Sequence, residues 1–167
     1  MMTLAAVLCC TALFTSCQKP NASEENKPDN TPAFVEVTLS CPATQDMLTN
    51  TDMVIFYNDA TGEKTETVSA LDWSKTMKIA LPCTVSFGRT VALKSGVEMT
   101  KDVHFSYSTG FLVSYKILNA SDVQLGRGTS GATNNANFTA DKVALLINDG
   151  KLNETHSYSF DKNGAVK

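Results

Sequence analysis

An all-β sandwich is the fold class this sequence predicts, on three observations. Short apolar segments alternate with polar residues at the period of two that gives a strand one dry face and one wet face. Clusters of Gly, Asn, Asp, Ser and Pro interrupt these segments at roughly the 8–12-residue spacing of sandwiches and barrels. The only helix candidate is a turn over residues 70–75. An immunoglobulin-like or related Greek-key β-sandwich of about 7–9 strands fits all three.

Val35, Val37 and Leu39 alternate with Glu36 and Thr38 in the first strand, and residues 53–57 (MVIFY) are apolar on both faces, as in a central strand. Residues 58–63 are turn chemistry, and β-branched residues 65–69 return as the second arm of a hairpin. Met77, Ile79 and Leu81 alternate until Pro82 stops the run. Val91 and Leu93 continue the period, with Ser95-Gly96 as a bend before Val97 and Met99. Phe105 and Tyr107 lie in phase, as do Val113, Tyr115 and Ile117, which places these tyrosines in the core. Val123 and Leu125 read as a short strand, residues 143–147 (VALLI) as a buried one, and Tyr158 and Phe160 as the last. No internal repeat is visible, which disfavours a propeller or solenoid.

The chain has 167 residues and a formal net charge of −3, with no Lys/Arg cluster. Nucleic acid is therefore a poor partner, because binding it requires concentrated positive charge. From Met1 to Ser16 there is no Lys, Arg, Asp or Glu, and residues 3–14 are almost wholly apolar or small. That length suits a signal h-region of about 7–15 residues and falls short of the roughly 18 that span a bilayer. Thr15-Ser16-Cys17 follows, then a tract rich in Asn, Glu, Lys, Pro and Ser that cannot bury enough apolar surface to order itself.

Small residues before a cysteine and a polar tract after it resemble the lipobox of bacterial lipoproteins. The resemblance implies that residues 1–16 are a signal peptide and that Cys17 becomes the lipidated first residue of the mature chain. Residues 17–33 are then a polar tether, and residues 34–167 the sandwich domain. The Gln-Lys-Pro stretch with Glu24 and Glu25 looks like the envelope lipoproteins of Bacteroidetes, which implies export and anchorage in the bacterial cell envelope, at the outer membrane. Cys9 and Cys10 leave with the signal, so Cys41 and Cys83 are the thiols remaining in an oxidising compartment. They form either a disulfide or two buried thiols.

His104 and His156 lie far apart, with no metal-ligand spacing near either, and no Gly-x-Ser-x-Gly elbow is present. Asp59, Thr61 and Glu63, and the Asn148, Asp149, Asn153, Glu154 group, read as polar turns that lack an EF-hand's pattern. No cofactor or metal is implied. The Gly-rich run at residues 126–131 lacks the Gly-Lys-Ser/Thr of a phosphate loop. With the Asn-rich stretch that follows, it reads as one long connection over residues 126–137, the kind of loop on which a rigid sandwich carries its function. Arg127, Asn134, Asn135 and Asn137 would suit the hydroxyls or carboxylates of a glycan or peptide. Trp73, outside the clear strands, is expected to be exposed beside them.

The expected function is a lipid-anchored, non-enzymatic binding or assembly module that presents loops to a glycan, peptide or protein partner. The alternative is an accessory subunit or small hydrolase of an envelope complex. Expression of the full chain in a bacterium supplied with labelled palmitate should label the protein through Cys17. Label that persists in Cys17→Ala overturns the anchor.

Overall fold

The alternation over residues 34–42 becomes strand β1 (Phe34–Pro42), with Val35, Val37, Leu39 and Cys41 buried and the residues between them facing outward. In the computed structural model, which describes residues 29–167, ten strands and two short helices follow this logic. The expected signal, Cys17 and the tether as far as residue 28 lie outside the described residues. Among the described residues no helix is long and apolar enough to cross a membrane.

After β1 come α1 (Gln45–Asn50), β2 (Thr51–Asp59), β3 (Gly62–Thr67), β4 (Asp72–Ala80), β5 (Cys83–Leu93), β6 (His104–Thr109) and β7 (Leu112–Leu118). They are followed by β8 (Gln124–Gly131), β9 (Asn134–Thr139), α2 (Ala140–Asn148) and β10 (Glu154–Phe160). One sheet has the order β4-β1-β7-β8 and the second β10-β5-β2-β3; β6 and β9 pair as a third, two-stranded sheet. All pairings are antiparallel. The fold is the all-β sandwich that the alternation predicts.

Two sequence expectations change. Residues 143–147, read as a strand, belong to α2. Ala140, Val143 and Ile147 are its buried residues, at the spacing of one helical face, and Asp141 sits in the first turn at the positive end of the helix dipole. Residues 70–75, read as a helical turn, instead lead into β4, whose Trp73, Met77 and Ile79 point inward. Helix α1 was not anticipated. Thr44 caps it by accepting from the Met47 amide, and Met47 is wholly buried beneath it.

The core contains one full charge. Arg89 lies in phase with Val85, Phe87 and Val91 on the inward face of β5, and its side chain is 0% exposed. Its guanidinium donates to the carbonyls of Leu152 (3.1 Å) and Ser108 (2.9 Å), to Glu154 Oε1 (2.6 Å) and to Cys41 Sγ (3.7 Å). Glu154 Oε1 also accepts from the Gly110 amide at 2.8 Å, and His156 Nε2 lies 3.3 Å from its other oxygen. Four parts of the chain are thus tied to one side chain.

The Cys41–Cys83 disulfide does not form, and both thiols are free. Cys41 touches the Arg89 guanidinium, whereas Cys83 begins β5 six residues earlier, roughly 20 Å along an extended strand. A disulfide requires Cα atoms about 4.4–6.8 Å apart. Burial pushes both thiols up from their ordinary pKa, for Cys41 against the opposing pull of Arg89.

Arg89→Met should destabilise the domain by about 3–5 kcal/mol, the usual cost of stripping the partner from a buried charge. Glu154→Gln, which leaves the fully buried guanidinium without a counter-charge, should cost at least as much. Urea unfolding of the two variants checks the order, and equal stability of parent and Arg89→Met would contradict it.

Candidate contact surface

The residues singled out in the sequence occupy three separate places. Trp73 is in β4, opposite Cys41, and only 9% exposed. Its indole Nε1 donates to Glu66 Oε2 at 3.1 Å, while the Tyr57 hydroxyl (2.5 Å) and Lys75 Nζ (2.6 Å) donate to Glu66 Oε1. The tyrosine and tryptophan rings pack at 6.1 Å, and Lys75 lies 5.5 Å from the Tyr57 centroid. Strands β3 and β4 are the facing edges of the two main sheets, so this cluster closes one side of the sandwich. Trp73 is thus a structural clasp, and its expected exposure is corrected.

Hydrogen bonds from Lys75 and Tyr57 hold the Glu66 carboxyl below its usual range, and Glu66 in turn holds Lys75 above its ordinary value. Burial is the first cause that raises Tyr57, and its bond to Glu66 adds to it.

The expected long connection over residues 126–137 is not a loop. It comprises most of β8, a short turn at Ala132 and Thr133, and the first part of β9. Gly126 and Gly128 pair with Ile117 and Tyr115 of β7. At position 128 a Cβ would stand 2.3 Å from the Tyr115 hydroxyl, so a larger residue there must displace that ring. Gly131, at φ 86°, begins the turn in the left-handed region that glycine alone adopts without strain. The glycines therefore answer to packing and turn geometry.

Arg127 projects from the outer face of β8 beside Lys116, into a shallow depression of about 240 Å³ with Glu36, Thr38, Ser114 and Thr129. Lys116 pairs with Glu36 at 2.7 Å. Arg127 is four residues before the turn, roughly 13 Å along the strand, so it does not converge with the asparagines.

Asn134, Asn135 and Asn137 are exposed on β9. The sequence reading missed Phe138, 45% exposed in the same strand and stacked on Tyr107 at 6.1 Å. Its signal was alternation: Ala136 and Phe138 share a phase opposite Asn135 and Asn137, directly after a turn. Residues 128–140 contain no Asp, Glu, Lys or Arg. This stretch is thus an uncharged surface, with Asn135 and Asn137 on one face of β9 and Asn134, Ala136 and Phe138 on the other.

The remaining polar candidates have local partners. Asp59 Oδ1 accepts from the Thr61 amide and hydroxyl, both at 2.7 Å, which lowers its pKa and completes a turn. Asn153 Oδ1 accepts from the Val91 amide at 2.9 Å. His156 stacks on Phe87 at the core margin, and His104 is exposed. Among the described residues no group of three or more His, Cys, Asp or Glu is placed to hold a metal ion. Comparison with protein-family models, curated proteins and solved structures found no match.

The Glu66 cluster makes stability depend on pH. Its carboxyl is lowered in the folded state, so its contribution is present above the unfolded value of about 4.3 and is lost as pH falls through the folded one. Glu66→Gln should therefore flatten the acid limb of unfolding below about pH 4.3, followed by the fluorescence of Trp73, the chain's single tryptophan. An acid limb identical to the parent's would remove the cluster from the explanation.

Proposed function

We propose that the protein is a lipid-anchored binding module of the bacterial cell envelope, tethered through Cys17, with strand β9 and the turn before it as its contact surface. The supporting observation is the stretch over residues 128–140, which has no charged side chain and carries Asn134, Asn135, Asn137 and Phe138 in the open. A charge-free exposed strand bearing a large aromatic is costly to leave unused on a soluble face, since charge is the ordinary protection of such strands. A protein partner suits it better than a glycan. The exposed ring already packs on Tyr107, and Arg127, the group best suited to a sugar acid, points from a different face. The polar tract after Cys17 supplies the reach that lets the domain meet such a partner away from the lipid surface.

A photocrosslinking residue at position 138 of the anchored protein should give a discrete adduct in the native envelope. The same residue at Thr155, exposed on β10, should not. Equal labelling from both positions, or none from position 138, sinks the assignment.

A further inference from the structure

The β6–β9 sheet has two edges, and the structure treats them differently. On β6 the outward backbone groups are those of Ser106 and Ser108. Asp46 accepts from the Ser106 amide at 2.7 Å, and the Thr44 hydroxyl donates to its carbonyl. Met47 Sδ lies 3.3 Å from the Ser108 amide, and Arg89 donates to the Ser108 carbonyl. Helix α1 and the buried arginine have taken every position where another strand could attach to this stretch.

This arrangement also settles the parity of β9. In an antiparallel pair, residues whose amides and carbonyls point away from the partner face residues that point away in turn. Ser106 lies opposite Asn137, and Ser108 opposite Asn135. The backbone groups of Asn135 and Asn137 therefore point to the free edge. The Ala140 amide bonds to the Val103 carbonyl at 2.7 Å, continuing the inward-bonded set through Phe105–Phe138 and Tyr107–Ala136, which confirms the parity independently. Among the described residues nothing bonds to the outward groups of Asn135 and Asn137.

The other sheet edges are guarded by charge. Strand β3 carries Glu63, Lys64 and Glu66, β4 carries Asp72, Lys75 and Lys78, β8 carries Arg127, and β10 carries Glu154. Strand β9 has no charge, proline or bulge, and it is the one open edge among the described residues that lacks all three.

Taking β9 and its turn as the contact surface, we propose that β9 receives an extended, uncharged segment of a protein partner as an added strand. The outward amides and carbonyls of Asn135 and Asn137 form the ladder. Alternate side chains of the segment then lie along Ala136 and Phe138 on one face and along Asn135 and Asn137 on the other, because the period of a strand is two. The segment is accordingly apolar at every second position and polar between. A second copy of this chain is the weaker occupant: a six-residue edge supplies little of the roughly 1,200–2,000 Å² that a stable dimer buries.

The probe is a displayed library of random eight-residue peptides selected on the immobilised full chain. Enriched peptides should be uncharged and alternate apolar with polar residues. Their binding should fall at least tenfold with Asn137→Pro or Asn135→Pro, which remove an outward donor and leave the β6 ladder intact, and should survive Asn137→Ser. Phe138→Ser should weaken binding without abolishing it, and bound peptide should slow hydrogen exchange at the amides of residues 135 and 137. Circular dichroism and urea unfolding identify any proline variant that fails to fold, in which case the exchange measurement decides. Peptides lost with Phe138→Lys but indifferent to both prolines would overturn strand addition and leave β9 and its turn as the contact surface. Peptides indifferent to all these changes, or no enrichment, would overturn both. A dimer of the parent in sedimentation that Asn137→Pro dissolves would replace the partner segment with a second copy.

Discussion

The structure depends on one buried cation. Arg89 lies where aliphatic and aromatic residues occupy the rest of the inward face of β5, and a charge removed from water is tolerated only when paired and fully hydrogen-bonded. Its partners come from β1, β6, the approach to β10 and β10 itself. A leucine there would pack against its neighbours without specifying where each strand ends. The guanidinium imposes directions, so the Ser108 and Leu152 carbonyls and Glu154 must arrive at set positions. Removing it would leave its carboxylate partner unpaired at the core margin, and stability would fall with it.

Much of the sandwich was legible because alternation reports burial directly. Val35, Val37 and Leu39, or Val113, Tyr115 and Ile117, differ so clearly from their neighbours that one face must be dry. Where reading failed, polar residues stood on the inward phase. Lys75 interrupts the alternation of Trp73, Met77 and Ile79, and Arg89 does the same between Phe87 and Val91. Each is satisfied by a carboxylate on another strand, Glu66 on β3 for Lys75 and, 65 residues away, Glu154 on β10 for Arg89, a pairing that alternation does not register. The VALLI stretch failed for a different reason: five consecutive apolar residues carry no period, and only the flanking Thr139, Ala140 and Asp141 indicate a helix start.

The candidate contact surface was half legible. Its residues were identified by composition, since a long Gly- and Asn-rich stretch with no charge stands out from its surroundings. Composition misassigned their conformation. Small residues suggest a loop when strand spacing is judged by large apolar ones, but Gly128 is paired in β8 with the Tyr115 ring in the space its side chain would fill. Trp73 misled in the opposite sense. A tryptophan flanked by Asp72 and Ser74 looks exposed until Glu66, seven residues earlier, is seen to accept its indole hydrogen.

The core and the candidate contact surface meet at Ser108. Its carbonyl accepts from Arg89, its amide faces Met47 of α1, and its hydroxyl donates to the Pro42 carbonyl, so β6 is held between the main sandwich and the first helix. Strand β9 is attached only through β6 among the strands, and its position follows from that anchorage. The group that sets the geometry of the core therefore also blocks one edge of the small sheet and determines which backbone groups of the other edge face outward. An edge whose orientation is fixed by a buried charge is preorganised, which reduces the ordering cost that a partner strand would otherwise meet on binding.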